Sequence, residues 1–237
     1  MKTVILAGGL GTRLVEETDQ IPKPMVRIGG IPIIEHIMNR YSLFGFNDFI
    51  IAAGYKVEVI RDYFEGSKEF FASKGWKIQI EDTGLNTQTA ERVWKIRNLV
   101  GDKFFLTYGD GLADLDILKV LDFHNAGKSL GTVTGVRPPA RFGSLVIEGS
   151  IVREFNEKNP QDVGWINGGY FVLERGIFDF LKGEVGSLEG IPLSKLAKNG
   201  NLRAYLHDGW WQPMDTLREK RILEEMWQKG NPLWEQI

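Results

Sequence analysis

Several short stretches of this sequence carry residues whose types and spacing suit phosphate chemistry. The first is Gly8-Gly9-Leu10-Gly11-Thr12-Arg13. Glycines let a backbone approach a phosphate closely and aim its N–H groups at the oxygens. Arg13 adds a guanidinium that can grip a phosphate with two donors. The run is no Walker A loop, because no Gly-Lys-Ser/Thr follows, and it is a poor dinucleotide fingerprint, because Leu14 stands where a third glycine belongs. The second expected strand ends Ala53-Gly54 and supplies no acidic residue for a ribose. Pro22-Lys23-Pro24 comes next. Proline fixes its own φ and restricts the residue before it, so Lys23 sits on a stiff segment. Alone, that tripeptide reads as a surface lysine in a proline turn. Beside a glycine loop that already holds an arginine, a phosphate contact is favoured.

Thr107-Tyr108-Gly109-Asp110-Gly111 places a carboxylate at the C-terminal end of an expected strand, where open α/β sheets bind ligands. Asp110 is expected to hold magnesium rather than merely to fill a turn. Asp114-Leu115-Asp116 has the D-x-D form of metal-binding glycosyltransferases, but Asp114 also suits a helix N-cap, and capping is the expectation. Thr216 and Glu219 form a capping box that starts the last helix just after Asp215. Asp215 is then either structural or, with Asp110, half of a pair of carboxylates sharing one magnesium ion. Glu157, Lys158, Asn167 and Gly168 fall at strand ends, where they suit a phosphate and sugar hydroxyls or simply face water.

The elements that must position these residues are legible from hydrophobic patterning. Val4 to Ala7, Phe49 to Ala53 and Phe104 to Thr107 are short apolar runs of the kind that form strands buried on both faces. Helices are expected over Pro32 to Phe44, Val57 to Phe64, Ala90 to Leu99, Ile117 to Asn125 and Thr216 to Lys229, with an alternating strand at Lys77 to Glu81. Strands alternating with helices imply a mostly parallel, doubly wound sheet. Ser144 to Ile147, Ile151 to Phe155 and Ile166 to Leu173 lack long helices between them, so they are expected as an antiparallel extension or lid on the same sheet. No linker or repeat divides the chain, which reads as one domain over 1–237.

Composition narrows the function classes. At 237 residues the chain buries roughly 70% of its unfolded surface and needs no disulfide or metal staple. A formal net charge of -2 gives no broad footprint for nucleic acid, so phosphate binding must be local. The absence of cysteine excludes thiolate zinc sites and cysteine nucleophiles. No run approaches the ~18 apolar residues of a membrane span, and no signal peptide is evident. A cytoplasmic enzyme with no membrane partner is the expectation.

Leu6-Ala7-Gly8-Gly9-Leu10-Gly11-Thr12-Arg13-Leu14, followed by Pro22-Lys23-Pro24-Met25, resembles the signature of the sugar-phosphate nucleotidyltransferase family. Thr107 to Asp116, Arg141-Phe142-Gly143, Ile166 to Gly169 and Trp211 to Arg218 are similar to its CTP-using branch, so that the resemblance covers nearly the whole chain. The resemblance implies a three-layer, Rossmann-like α/β sandwich whose antiparallel extension lies on the sugar side. It implies CTP and a sugar 1-phosphate as partners, Mg2+ as cofactor, and a homo-oligomer. Leu6, Ala7, Gly8, Gly9, Leu10, Gly11, Thr12 and Arg13 would hold the nucleotide, with Lys23, Thr87, Arg92 and Gly109. Asp110 and Asp215 would hold the metal, and Glu157, Lys158, Asn167 and Gly168 would face the sugar phosphate. Arg13, Lys23, Asp110 and Asp215 would carry catalysis. Where the family reads Thr-Gly-Gly-Arg, this chain has Thr89-Ala90-Glu91-Arg92. Two rivals remain. A glycosyltransferase would use Asp114 and Asp116 and release a nucleoside diphosphate. A non-catalytic nucleotide-binding module should have lost Arg13, Lys23 or one aspartate, whereas this chain keeps all four.

Overall fold

Val4, Ile5, Leu6 and Ala7 are apolar in succession because the strand they form is covered on both faces. Val4 and Leu6 pack into one core, Ile5 and Ala7 into another. The computed structural model describes residues 1–139, 144–156 and 164–236. The chain begins with β1 (Lys2–Ala7), α1 (Val15–Thr18), the small ribbon β2 (Arg27–Ile28) and β3 (Ile31–Pro32), then α2 (Ile33–Ser42) and β4 (Asp48–Ala53). Next come α3 (Val57–Gly66), α4 (Lys68–Ser73), β5 (Lys77–Asp82), α5 (Thr89–Lys95), β6 (Lys103–Tyr108), β7 (Gly111–Ala113) and α6 (Ile117–Asn125). The later part holds β8 (Gly131–Val136), β9 (Ser144–Glu148), β10 (Ile151–Asn156), β11 (Ile166–Glu174), α7 (Phe178–Leu181) and α8 (Ile191–Lys198). It closes with β12 (Leu202–His207), β13 (Trp211–Pro213) and α9 (Leu217–Gln228).

Seven strands make one sheet in the order β12-β8-β11-β6-β1-β4-β5. Every neighbouring pair is parallel except those made by β11, which runs against both β6 and β8. Registers such as Val4↔Ile50 and Ile5↔Ile51 keep like faces together. Phe49, Ile51, Phe105 and Val172 therefore join Ile5 on the side covered by α2, α3 and α6. Ile50, Ala52, Phe104, Leu106 and Phe171 join Val4 on the side covered by α5, α7 and α8. Three layers result. The chain winds from β1 to β4 and β5 on one side, then returns to place β6 on the other side of β1. The crevice beyond the C-terminal ends of β1 and β6 is thus a topological switch point, the place where open α/β sheets bind ligands.

Three expectations need correction. Ser144–Glu148 and Ile151–Asn156 pair only with each other, as a separate two-stranded ribbon, so of the three late strands β11 alone joins the main sheet. That sheet instead gains β8 and β12. The Gly-Thr-Val-Thr-Gly-Val sequence of β8 offers no apolar run, yet Thr132 and Thr134 are fully buried, and the Thr132 hydroxyl meets His124 Nδ1 at 2.9 Å. The cap of α6 is Asp116, not Asp114. Its carboxylate accepts the Lys119 N–H at 3.0 Å, the reach of an N-cap side chain to the third helical residue, and Asp114 lies two residues too early.

Candidate active site

The turn after β1 brings Gly8, Gly9 and Gly11 into the switch-point crevice, a cleft of about 280 Å³. Gly11 has φ +66, and its carbonyl accepts from the Leu14 N–H at 2.9 Å and the Thr18 hydroxyl at 3.0 Å. Gly8 is required for a different reason. A Cβ there would lie 2.0 Å from the Arg92 guanidinium. Leu6, Ala7, Thr12, Arg13, Lys23, Arg92, Gly109 and Asp110 line the same cleft. Leu10 and Thr87 do not: Leu10 turns outward at 51% exposure, and the Thr87 hydroxyl donates to the Thr83 carbonyl at 2.5 Å. Pro24, Thr89 and Tyr108, which lie in the motifs quoted above but carry no site role there, also line the cleft.

A cation cluster sits at the cleft floor. The 3-10 turn Lys23–Met25 starts at Pro22, with the Met25 N–H on the Pro22 carbonyl at 2.8 Å, and it points Lys23 inward. The Lys23 Nζ donates to Asp110 Oδ2 at 2.6 Å and to Asp215 Oδ1 at 2.5 Å. Arg13 Nη1 lies 2.8 Å from Asp215 Oδ2 and is largely exposed toward the cleft mouth. The two aspartates are far apart in sequence but converge through one ribbon. β7 and β13 are antiparallel with Gly111 opposite Pro213, and the Met214 N–H donates to the Asp110 carbonyl at 2.8 Å. Glu219 fixes the far end. Its carboxylate accepts the Asp215 N–H at 2.7 Å, while Thr216 caps α9 by accepting the Glu219 N–H at 3.3 Å.

Burial alone would pull the Lys23 ammonium below the ordinary lysine value, but Asp110 and Asp215 outweigh it and the net shift is upward. A pKa raised on folding stabilises the fold fully below the unfolded value of about 10.4, and that contribution is lost only as pH climbs through the elevated value. Lys23 therefore stays charged across the neutral range. Two carboxylates near enough to share one ammonium could also share one small divalent ion. No third acidic or histidine side chain joins them in a metal-sized group among the described residues. That set fits magnesium, which keeps several waters and takes its remaining ligands from substrate phosphates.

Arg92 is buried, and its role differs from that of a ligand-binding arginine. It donates to the carbonyls of Ala53 at 2.6 Å, Thr87 at 2.7 Å, and Gly8 and Gly84 at 3.3 Å, and to the Thr83 hydroxyl. It ties the glycine turn to the loop after β5 and so sets the shape of the cleft wall. Glu91, where the family carries glycine, faces Lys95 at 3.2 Å and is not among the lining residues.

A smaller cavity of about 30 Å³ shares Tyr108 and Asp110 with the cleft and is walled by Asn167, Gly168, Tyr170 and Trp211. The Trp211 indole N–H donates to the Gly168 carbonyl at 2.8 Å. The Tyr108 hydroxyl donates to Glu189 and accepts from Asn167 Nδ2 at 3.2 Å, while Glu189 also accepts from the Thr89 hydroxyl at 3.1 Å. Burial, reinforced by the Glu189 carboxylate, drives the phenol far above its ordinary value, so it stays a donor. Glu157 and Lys158 lie outside the described residues, as does Arg141-Phe142-Gly143. Asp114 and Asp116 line neither cavity, and Asp114 Oδ1 instead sits 2.8 Å from His207 Nε2.

Glycine turn, arginine, buried lysine and paired carboxylates at the switch point of a parallel sheet make the chemistry of a phosphorylated ligand and a divalent cation. Residues 2–216 match the family described as Nucleotidyl transferase, and the chain belongs to that family. It is 46% identical over 253 aligned positions to the glucose-1-phosphate cytidylyltransferase of Salmonella typhi, covering 99% of this chain and 98% of that protein. Identity to the probable glucose-1-phosphate cytidylyltransferase of Bacillus subtilis is 40% over 252 positions, 99% of each chain. Among solved structures, HddC from Yersinia pseudotuberculosis matches with a TM-score of 0.75 at 27% identity, covering 95% of this chain and 99% of that one.

Proposed function

We propose that this chain transfers a cytidylyl group from CTP to α-D-glucose 1-phosphate, giving CDP-glucose and pyrophosphate. The convergence of Arg13, Lys23, Asp110 and Asp215 in one cluster carries the reaction type. The choice of base and sugar rests on the relatives from Salmonella typhi and Bacillus subtilis. A phosphate oxygen of the sugar phosphate attacks the α-phosphorus of CTP. A new P–O bond forms, the bond to the bridging oxygen breaks, and pyrophosphate leaves with the electron pair. The sugar phosphate is already ionised near neutral pH, so no general base is required, and the protein's task is alignment and charge neutralisation.

In this reading Lys23 neutralises the α-phosphoryl group, and Arg13 at the cleft mouth holds the β- and γ-phosphates. Asp110 and Asp215 would hold Mg2+, which supplies positive charge against the nucleotide oxygens. The glycine turn cradles the nucleotide, and Asn167, Gly168, Glu157 and Lys158 take the sugar phosphate. A D-x-D glycosyltransferase is disfavoured because Asp116 caps α6 and Asp114 faces His207. Among the described residues no helix is long and apolar enough to cross a membrane, in keeping with the proposed cytoplasmic location.

The test is a matrix of nucleoside triphosphates and sugar 1-phosphates scored by pyrophosphate release. CTP with glucose 1-phosphate should be the best pair and should require magnesium. Preference for UTP, dTTP or GTP by more than about tenfold, or ~1.4 kcal/mol, would refute the base assignment. A second expectation concerns Tyr108, which joins the two cavities. Tyr108→Phe removes the hydroxyl that orients Asn167, and one such hydrogen bond corresponds to roughly three- to tenfold. KM for glucose 1-phosphate should rise by that factor while KM for CTP stays within about twofold. Equal increases in both would reduce Tyr108 to a wall of the cleft.

A further inference from the structure

β5 is an edge of the main sheet, paired with β4 on one side only. The Lys77 N–H donates to the Asn47 carbonyl at 2.8 Å and the Thr83 N–H to the Ala53 carbonyl at 2.9 Å. Along a strand, successive residues turn their backbone groups to opposite sides, so the odd-numbered residues of β5 face β4. Ile78 and Ile80 therefore direct their N–H and C=O groups outward, an open template for another strand. On this edge the side chains run Lys77, Ile78, Gln79, Ile80, Glu81, with Lys77 and Gln79 exposed and the others half-buried. Lys77 makes no ion pair among the described residues, and Glu81 accepts only from its neighbour Gln79, at 2.8 Å. Beneath the edge runs a groove of about 570 Å³ with an apolar floor of Phe64, Phe71, Trp76, Ile78 and Ile80.

We propose that two copies of this chain pair through β5, antiparallel, about a two-fold axis at Gln79. In that register backbone and side-chain charges are complementary together. Ile78 of one copy falls opposite the second copy's Ile80, and both are outward-facing residues, as a hydrogen-bonded antiparallel pair requires. Gln79 meets its own copy in the non-bonded position between them. Lys77 then faces Glu81 of the second copy, twice by symmetry, in the non-bonded position where side chains approach most closely. A one-residue slip would set outward groups against inward ones and bring Lys77 away from Glu81. An isologous contact of this kind closes, giving a dimer whose two sheets are continuous, with the two grooves brought together.

The test is sedimentation equilibrium on the full chain over about 1–100 μM, with circular dichroism verifying that each variant folds. Wild-type protein should associate through this edge. Lys77→Glu and Glu81→Lys should each weaken association at least about tenfold, because each sets like charges opposite one another twice. The double variant carrying both should recover to within about threefold of wild type, since it restores opposite charges in the same register. Ile80→Pro, which removes an outward N–H that the proposed ladder uses and no bond to β4, should weaken association without either charge change. A monomer at 100 μM (roughly the upper end of the range) overturns the proposal. So does an assembly of any size that both single charge variants leave unmoved, or a double variant no better than the singles.

Discussion

Lys23→Ala should lower kcat by about 10²–10³-fold while moving KM for CTP by less than about threefold. The side chain is 9% exposed, anchored by a proline turn, and aimed at the floor of the cleft rather than its mouth. A positive charge so placed is matched to charge that develops on the reacting phosphoryl group, and such a group acts more on the transition state than on the bound nucleotide. The variant also leaves Asp110 and Asp215 facing one another without the ammonium between them, although Arg13 remains 2.8 Å from Asp215. Some stability is lost, so a thermal melt must accompany the kinetics. A variant that keeps full turnover and shows only a raised KM for CTP would make Lys23 a ground-state contact and remove it from catalysis.

Asp215→Asn should reduce turnover by at least about a hundredfold with a stability change of roughly 1–2 kcal/mol. The geometry separates the two effects. The start of α9 is held by Thr216 and by Glu219, which grips the backbone of Asp215 rather than its side chain. Asparagine keeps an oxygen for Lys23, and Lys23 keeps Asp110 at 2.6 Å. What disappears is the charge, and a neutral amide is a much weaker magnesium ligand. Asp110→Asn should behave alike, and the double variant should be scarcely worse than the poorer single one, because residues serving one ion act as a unit. Steady-state kinetics across a magnesium titration reads all three. Near-normal turnover in Asp215→Asn throughout that titration would leave Asp110 as the sole carboxylate of the cluster in the reaction.

The parts of this molecule that the sequence reveals are those with strong local causes. The apolar runs of β1, β4 and β6 and the amphipathic stripe of α6 follow from burial on two faces or one. The glycine turn and the proline-flanked Lys23 are equally local, since each constrains its own backbone. Asp215 is different. It reaches Lys23 across 192 positions of sequence, and nothing in its surroundings distinguishes a metal ligand from the flank of a helix cap. Only the pairing of β7 with β13 brings it to Asp110. β8 escaped detection because its burial is satisfied by threonines and glycines. The Tyr108–Glu189 contact was hidden for the same reason as Asp215: it joins a strand end to a loop 81 residues away, and loops announce no partners. Arg92 could be placed at the cleft, but no pattern of residue types tells a guanidinium that binds ligand from one that binds five backbone and hydroxyl oxygens of its own chain.

That last arrangement restricts how the protein can change over generations. A methyl group at Gly8 would lie 2.0 Å from the Arg92 guanidinium, and one at Gly54 would lie 2.6 Å from it and equally close to the Gly84 carbonyl. The arginine cannot retreat, because its donors hold the carbonyls of Gly8, Ala53, Gly84 and Thr87 in place. A lineage that enlarges either glycine first meets a clash; one that shortens the arginine first loosens both loops that wall the nucleotide cleft. Each single step away from this trio therefore carries a cost set by the other two positions.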